Sequence, residues 1–208
     1  MSAKLFIFDI FRKYVLSGVI DLSSDTIMAA LVDSSQVTTY TGWVNLTAYT
    51  TGNIRVPTVD NGHRYRCTVS GTSDTVEPTW PTSDGGTVVD DEVTWEEYGG
   101  ALADNEIWAD VSTNEVTTGD GYTTGGEVVT GLDVTYLGDE CTWDATDVPW
   151  TALIKTFRFA YLYADKTVGA IVNPLIGYVL LDTTPADIVL NNVDFILSFN
   201  ASGILVLN

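Results

Sequence analysis

Turn-forming residues cut this chain into pieces too short for much besides strands. Beyond Gly18, clusters of Gly, Pro, Asn, Asp and Ser recur about every 8 to 12 positions, and the runs between them are rich in Val, Ile, Thr, Tyr, Phe and Trp. Thr26 to Val32 reads as a buried strand, His63 to Val69 as one stopped by Gly71, and Phe157 to Tyr163 as one ending at Ala164-Asp165. Gly177 to Asp182 is turned by Thr183-Thr184-Pro185-Ala186. Cys141 to Ala145 leads into a turn at Asp147-Val148-Pro149-Trp150, and Val193 to Asn200 with Gly203 to Asn208 reads as a terminal hairpin around Ala201-Ser202. Such spacing predicts a mainly β protein, an antiparallel β-sandwich or barrel.

The exception lies at the start. Between Ala3 and Ser17 the spacing places Ile7, Phe8, Ile10, Phe11, Tyr14 and Val15 on one arc of a helical wheel, opposite Asp9, Arg12 and Lys13. One N-terminal helix is expected there, capped by Ser2 and ended by Gly18. Asp9 interrupts the run Leu5 to Phe8, so no secretory signal is expected, and the apolar run Ala170 to Leu181 is too short for a membrane span.

The densest punctuation falls between Asn61 and Tyr98. Asn61-Gly62 has the composition of a two-residue type I′ hairpin loop. Glu77-Pro78-Thr79-Trp80-Pro81 cannot continue a sheet interior, because each proline lacks an N–H, so it is read as an extended loop. Asp84-Gly85-Gly86 turns the chain into Thr87 to Val89 and then Val93 to Trp95. A chain of 208 residues can hold one large β domain or one domain with a small insert. The second division is preferred: a discontinuous host domain, residues 1–39 and 99–208, and an inserted all-β module, residues 40–98.

The order of words in that module, an aromatic and Cys strand, Ser-Gly-Thr-Ser-Asp, Glu-Pro-Thr-Trp-Pro, Gly-Gly-Thr-Val-Val-Asp-Asp and Val-Thr-Trp, resembles a small β module carried by many tailed-bacteriophage virion proteins. Its usual form has Asp-Gly before the last strand, where this chain has Asp90-Asp91-Glu92. The flanking parts, Ser17-Gly18-Val19-Ile20-Asp21 with Thr26 to Asp33, Asp133 to Tyr136, Trp143 to Asp147 and Leu181-Asp182, resemble small phage structural proteins that decorate or cement the head. The resemblance implies a structural virion protein on the outer face of a phage head, assembled in the bacterial cytoplasm. Its partners would be the major capsid protein and itself, as a homotrimer. The alternative is a tail-fibre or head-fibre module that binds host glycans.

Charge bears on partners as well. The formal net charge is −19, and from Cys67 to Ile154 there is no Lys or Arg, while 19 of the 28 acidic residues fall there. Nucleic acid is disfavoured as a partner, since its affinity rests on phosphate neutralisation. The acidic residues are expected to form a solvated face, including the pairs Glu96-Glu97, Asp90 to Glu92 and Asp144 with Asp147. Asp-rich turns at Asp84, Asp90 to Glu92 and Gly119-Asp120-Gly121 offer hard oxygen ligands, but none has EF-hand spacing. No cofactor is expected. His63, the single histidine, sits between a turn and Arg64, and catalysis by it is disfavoured. The same holds for a polysaccharide-degrading carboxylate pair, because pairs arise by chance among 28 acidic residues.

Trp43, Trp80 and Trp95, with Tyr49, Tyr65 and Tyr98, could form a sugar platform or the module's core. The core is favoured for two of the tryptophans, with Trp80 partly exposed. Cys67 and Cys141 are expected as buried, unpaired thiols. An acidic protein on a shell must be held by apolar area, for which Leu5, Phe8, Phe11, Phe195, Phe199 and Leu205 are the candidate contacts.

Overall fold

The computed structural model describes residues 5–182, 186–200 and 202–207, without the side chain of Leu207. In chain order its longer strands begin with β1 (Leu5–Ile7), β2 (Ile27–Val32), β3 (His63–Val69), β4 (Thr87–Asp90) and β5 (Val93–Gly100). They continue with β6 (Glu127–Val129), β7 (Asp133–Leu137), β8 (Glu140–Asp144) and β9 (Val148–Leu153). The last four are β10 (Phe159–Ala164), β11 (Leu175–Leu180), β12 (Val193–Leu197) and β13 (Leu205–Leu207). One α-helix, α1 (Phe11–Leu16), is present among the described residues. The fold is mainly β and its ladders are antiparallel; among the described residues the sheets stay open and no barrel closes, so the sandwich-like alternative holds.

Two compact units divide the described residues: 5–37, 104–182, 186–200 and 202–207 form one, and 38–103 the other. The first is built on a five-stranded sheet in the order β1-β11-β10-β2-β6. Every residue of β10 and β11 is buried, as are five of the six in β2. A strand covered on both faces loses the polar alternation of a half-exposed one, which is why FAYLYA and LIGYVL read as continuous apolar runs. Tyr161 and Tyr178, directly opposite on β10 and β11, stack at 5.5 Å, and Phe8 lies against both at 5.7 and 5.8 Å.

The helix expected over residues 3–17 is largely replaced. Leu5 to Ile7 form β1, paired with Val179 to Gly177 of β11, and only six residues are helical. Phe6 and Phe8 are buried with a strand's period of two, and Phe11 and Tyr14 with a helical spacing of three. The wheel merged two periodicities that happen to share an arc. Gly177 makes the strand pairing feasible: a Cβ there would lie 2.8 Å from the Phe6 carbonyl oxygen and 2.9 Å from Leu5 Cδ1. The helix does end at Gly18 (φ +72°), with Val19 N–H on the Tyr14 carbonyl and Gly18 N–H on that of Val15, a Schellman closure. Ser2 lies outside the described residues, as do Thr183, Thr184, Pro185 and Ala201 of the two expected turns.

Three further expectations change. Val148 to Leu153 is a strand rather than a turn, with Pro149 opposite Ile196. The terminal hairpin does not form: β12 pairs with β9, and β13 pairs with β8, because Phe195 finds Trp150 and Leu205 finds Trp143 across those ladders. Asn61-Gly62 is not a two-residue hairpin loop either, since β3 pairs with Ile54–Arg55, leaving a long connection. Only Gly62 has positive φ, and the turn is held by Asp60 and Asn61 carboxyl and amide oxygens accepting the N–H groups of Gly62 and His63.

Candidate functional site

The 38–103 unit carries a four-stranded sheet, Ile54–Arg55, β3, β5 and β4 in that order, plus a short pair formed by Ala48–Tyr49 and Gly71–Thr72. Its centre is a carboxylate. Asp90, 2% exposed, accepts the indole N–H groups of Trp43 (2.8 Å) and Trp95 (2.9 Å) on one oxygen and the Asp74 backbone N–H (2.9 Å) on the other. Asp91 takes positive φ (+54°) so that β4 can turn at once into β5, which leaves Asp90 pointing inward. Asp90 is therefore no solvated turn residue. Its partners come from 47 positions away and from across its own hairpin.

Around that carboxylate the aromatic side chains interlock. Tyr49 meets Trp95 edge-on at 4.9 Å, and Trp80 lies between Tyr65 (4.3 Å) and Trp95 (5.7 Å). Trp43 and Trp95 are buried, and Trp80 is half-buried. The Trp80 indole N–H is held by Glu77 (2.9 Å), whose carboxylate also accepts from the backbone N–H and hydroxyl of Thr58. Burial pushes the Glu77 carboxyl up, but the donors from Thr58 and Trp80 outweigh it and hold the group below the usual glutamate range. Burial raises the Tyr65 hydroxyl to about 12, so it stays protonated and donates to the Pro81 carbonyl at 2.8 Å.

At the edge of the same unit His63 and Glu97 form a buried pair, Nδ1 to Oε1 at 2.9 Å. Glu97 also accepts the backbone N–H groups of Gly85 (3.3 Å) and Gly99 (3.0 Å), so its oxygens knit three segments together. This corrects the solvated reading of Glu96-Glu97 for Glu97, while Glu96 faces Arg66 at 2.8 Å on the half-exposed side. Arg64, 2% exposed, lies against the rings of Tyr40 and Tyr98, each 5.1 Å away, and donates to the Tyr40 hydroxyl.

In the larger unit, an apolar cleft of about 570 Å³ opens between the exit of α1 (Val15, Ile20, Leu22) and one face of the three-stranded sheet β7-β8-β13 (Val134, Cys141, Trp143, Leu205). Leu205 thus belongs to a cleft, and Leu5 and Phe199 meet in a separate shallow depression with Val179 and Leu197. Phe195 is half-buried against Trp150 and Phe157. Phe8 and Phe11 are core residues, at 0% and 3% exposure. The most exposed apolar side chains of this unit, among the described residues, are others: Leu16, Leu137, Tyr136 and Val189. Cys67 is buried and Cys141 half-buried; both thiols are free, and burial raises the Cys67 thiol. Cys141 lacks the full burial expected because its strand, β8, has the cleft on one face.

A polar pin also went unread in the sequence. Tyr122 donates to Glu115 (2.7 Å) and accepts the Leu31 N–H (3.1 Å) from inside β2, while Glu115 also accepts the Gly125 N–H at 2.6 Å. Burial raises the Glu115 carboxyl above its ordinary value despite those donors. The folded state therefore holds this proton more tightly than the unfolded chain does. That contribution is complete below the ordinary glutamate pKa of about 4.3 and is lost as pH rises through the higher folded value. Glu115→Gln cannot titrate, so the melting-temperature advantage of the natural chain over this variant should shrink from pH 4 to pH 7. A gap that widens with pH in paired thermal melts would contradict it.

Among the described residues no group of three or more His, Cys, Asp or Glu is gathered to hold a metal ion, and no helix is long and apolar enough to cross a membrane. No protein-family model, curated protein or solved structure matches the chain.

Proposed function

We propose that the protein is a structural component of a tailed-phage virion, a decoration or cement protein that binds the outer face of the head through apolar area and carries the 38–103 unit as an accessory module. The observation that supports this reading is how the module's sequence words are spent. Ser73 is fully buried and ties Val44 to Thr47, Asp74 gives its N–H to Asp90, Glu77 fixes Trp80, and Trp95 fills the centre. A pattern whose polar and aromatic members are spent on such internal bonds and packing is a scaffold signature. Adhesion in the larger unit would use exposed side chains such as Leu16 and Ile196 together with half-buried Leu5, Phe199 and Leu205.

Apolar contact is insensitive to screening, so particles washed in about 1 M NaCl, where the Debye length is near 3 Å, should keep the protein. Quantitative mass spectrometry of purified particles should count hundreds of copies, and Leu16→Asp with Ile196→Asp should lower that count. Release by salt, or a handful of copies per particle, would overturn the proposal. A few copies would favour the second reading, a glycan-binding fibre module. Trp80 speaks for it, because its half-buried ring is held at a fixed angle by Glu77. Glycan-array binding lost on Trp80→Ala would establish that reading.

A further inference from the structure

We infer that β7 is a self-association edge, through which two copies of this chain join antiparallel about a twofold axis at Thr135. This strand is the free outer edge of the β7-β8-β13 sheet. All five of its residues are exposed, with Val134 at 42%, Tyr136 at 74% and Leu137 at 85%. It has no Lys, no Pro and no bulge, since its register against β8 runs unbroken from Asp133↔Asp144 to Leu137↔Glu140. Those are devices that protect an edge against pairing, and Asp133 at its start is the one charge this strand carries.

The direction of its backbone groups follows from its turn. A two-residue loop, Gly138-Asp139 with Gly138 at φ +68°, closes on Leu137 and Glu140 as a hydrogen-bonded pair. By alternation the N–H and C=O of Leu137 and Thr135 face β8, and those of Tyr136 and Val134 face outward. Two copies brought together about Thr135 then set Val134 against the partner's Tyr136, and Tyr136 against the partner's Val134, as the hydrogen-bonded pairs. Four backbone bonds form in that register and none is taken from the existing ladder.

Side chains decide for a second copy over another occupant. In that register Thr135 meets itself, an aromatic meets a β-branched residue twice, and Asp133 stands opposite the partner's Leu137. No like charges face each other directly, although each copy carries a formal charge of −19. A one-residue slip would bring Val134 onto Thr135 positions and turn the faces out of step. In the twofold register Val134, Tyr136, Cys141, Trp143 and Leu205 of both copies lie on one side of a continuous six-stranded sheet, doubling the apolar face that borders the cleft. The contact involves five residues a side, well short of the roughly 1,200 Å² of a standard interface, so the pair is weak and forms at high local concentration. This is a twofold contact, distinct from the expected trimer, and it does not depend on the virion reading.

Sedimentation of the full chain up to about 1 mM should show a reversible monomer–dimer equilibrium. Thr135→Lys and Thr135→Asp each place like charges on the axis and should raise the midpoint concentration at least about tenfold, whereas an equimolar mixture of the two should dimerise again. Register is read by Thr135→Cys in a Cys141→Ser background. A pair at the axis that is not hydrogen-bonded has Cα atoms about 4.5 Å apart, within disulfide reach, so oxidation should give a covalent dimer. Asp133→Cys in the same background should not crosslink. A monomer throughout, a dimer or trimer indifferent to both charge variants, or failure of Thr135→Cys to crosslink while dimers are present would each overturn the inference.

Discussion

Asp90→Ala should unfold the 38–103 unit at temperatures the natural chain tolerates, with a loss of about 3 kcal/mol or more. The aspartate satisfies two buried indole N–H groups and one backbone N–H, and its removal leaves all three donors without an acceptor in an aromatic interior. Each buried orphan costs about 1–3 kcal/mol, and the deleted carboxylate leaves a void beside Trp43 and Trp95. In a unit of this size about 3 kcal/mol lowers Tm by roughly 12 °C or more. Asp90→Asn is the sharper probe, because it keeps the volume. However the amide is turned, its NH2 meets either the two indole donors or the Asp74 N–H, so one donor is set against another. Hydrogen exchange read by mass spectrometry should show protection lost across residues 38–103 and retained on β2, β10 and β11. Unchanged protection in Asp90→Asn would show that the indoles do not depend on this acceptor.

That carboxylate also marks how far the sequence could be read. β2, β10 and β11 were legible because their runs are apolar, and β3 because its set alternates and is bracketed by Gly62 and Gly71, while flanking Gly, Asp and Pro residues fix the ends of the others. Asp90 was not legible, because an acidic residue beside a hairpin turn has the composition of a solvated one. What distinguishes it is the arrival of Trp43 from another segment. Glu97 was hidden for the same reason, since its link to His63 depends on the ladder between β3 and β5, which carries register shifts at both ends. The N-terminal segment misled because Phe8 and Phe11 suit both a strand-then-helix and a continuous helix, and only the partner, Gly177, decides between them. The terminal strands misled through proximity. Neighbours in sequence are the default pairing, yet Phe195 lies opposite Trp150 and Leu205 opposite Trp143. Of the six contact candidates, composition alone could not separate Phe8 and Phe11, which fill the core, from Leu5 and Phe199, which share a surface depression.

Gly126→Ala should be as damaging to the larger unit as Asp90→Ala is to the smaller, and Gly125→Ala should be much milder. The sequence presents Gly125-Gly126 as one flexible turn, but the two positions do different work. At Gly126 the backbone passes against β2: a Cβ would lie 2.6 Å from the Ala29 carbonyl carbon and 2.8 Å from Ala30 Cα, and closer still to the Ala29 oxygen. These are backbone atoms of a strand buried at five of its six positions and cannot step aside as a flexible side chain would. The position also has φ +80°, which costs an L residue about 1–2 kcal/mol before any clash. Relief requires moving residues 126 to 129 away from β2, which breaks the ladder from Ile27↔Val129 to Ala29↔Glu127 and loosens the Gly125 N–H from Glu115. We expect a loss above about 3 kcal/mol, with exchange protection falling first in β6 and the amides of Ile27 to Ala29. At Gly125 φ is also positive (+97°), but the nearest atom to an added Cβ is the Tyr163 hydroxyl at 3.6 Å, ordinary contact. Its alanine variant should lose only the conformational term, about 1–2 kcal/mol. Equal costs at the two glycines in denaturant unfolding would mean that β6 does not pack against β2 in this way.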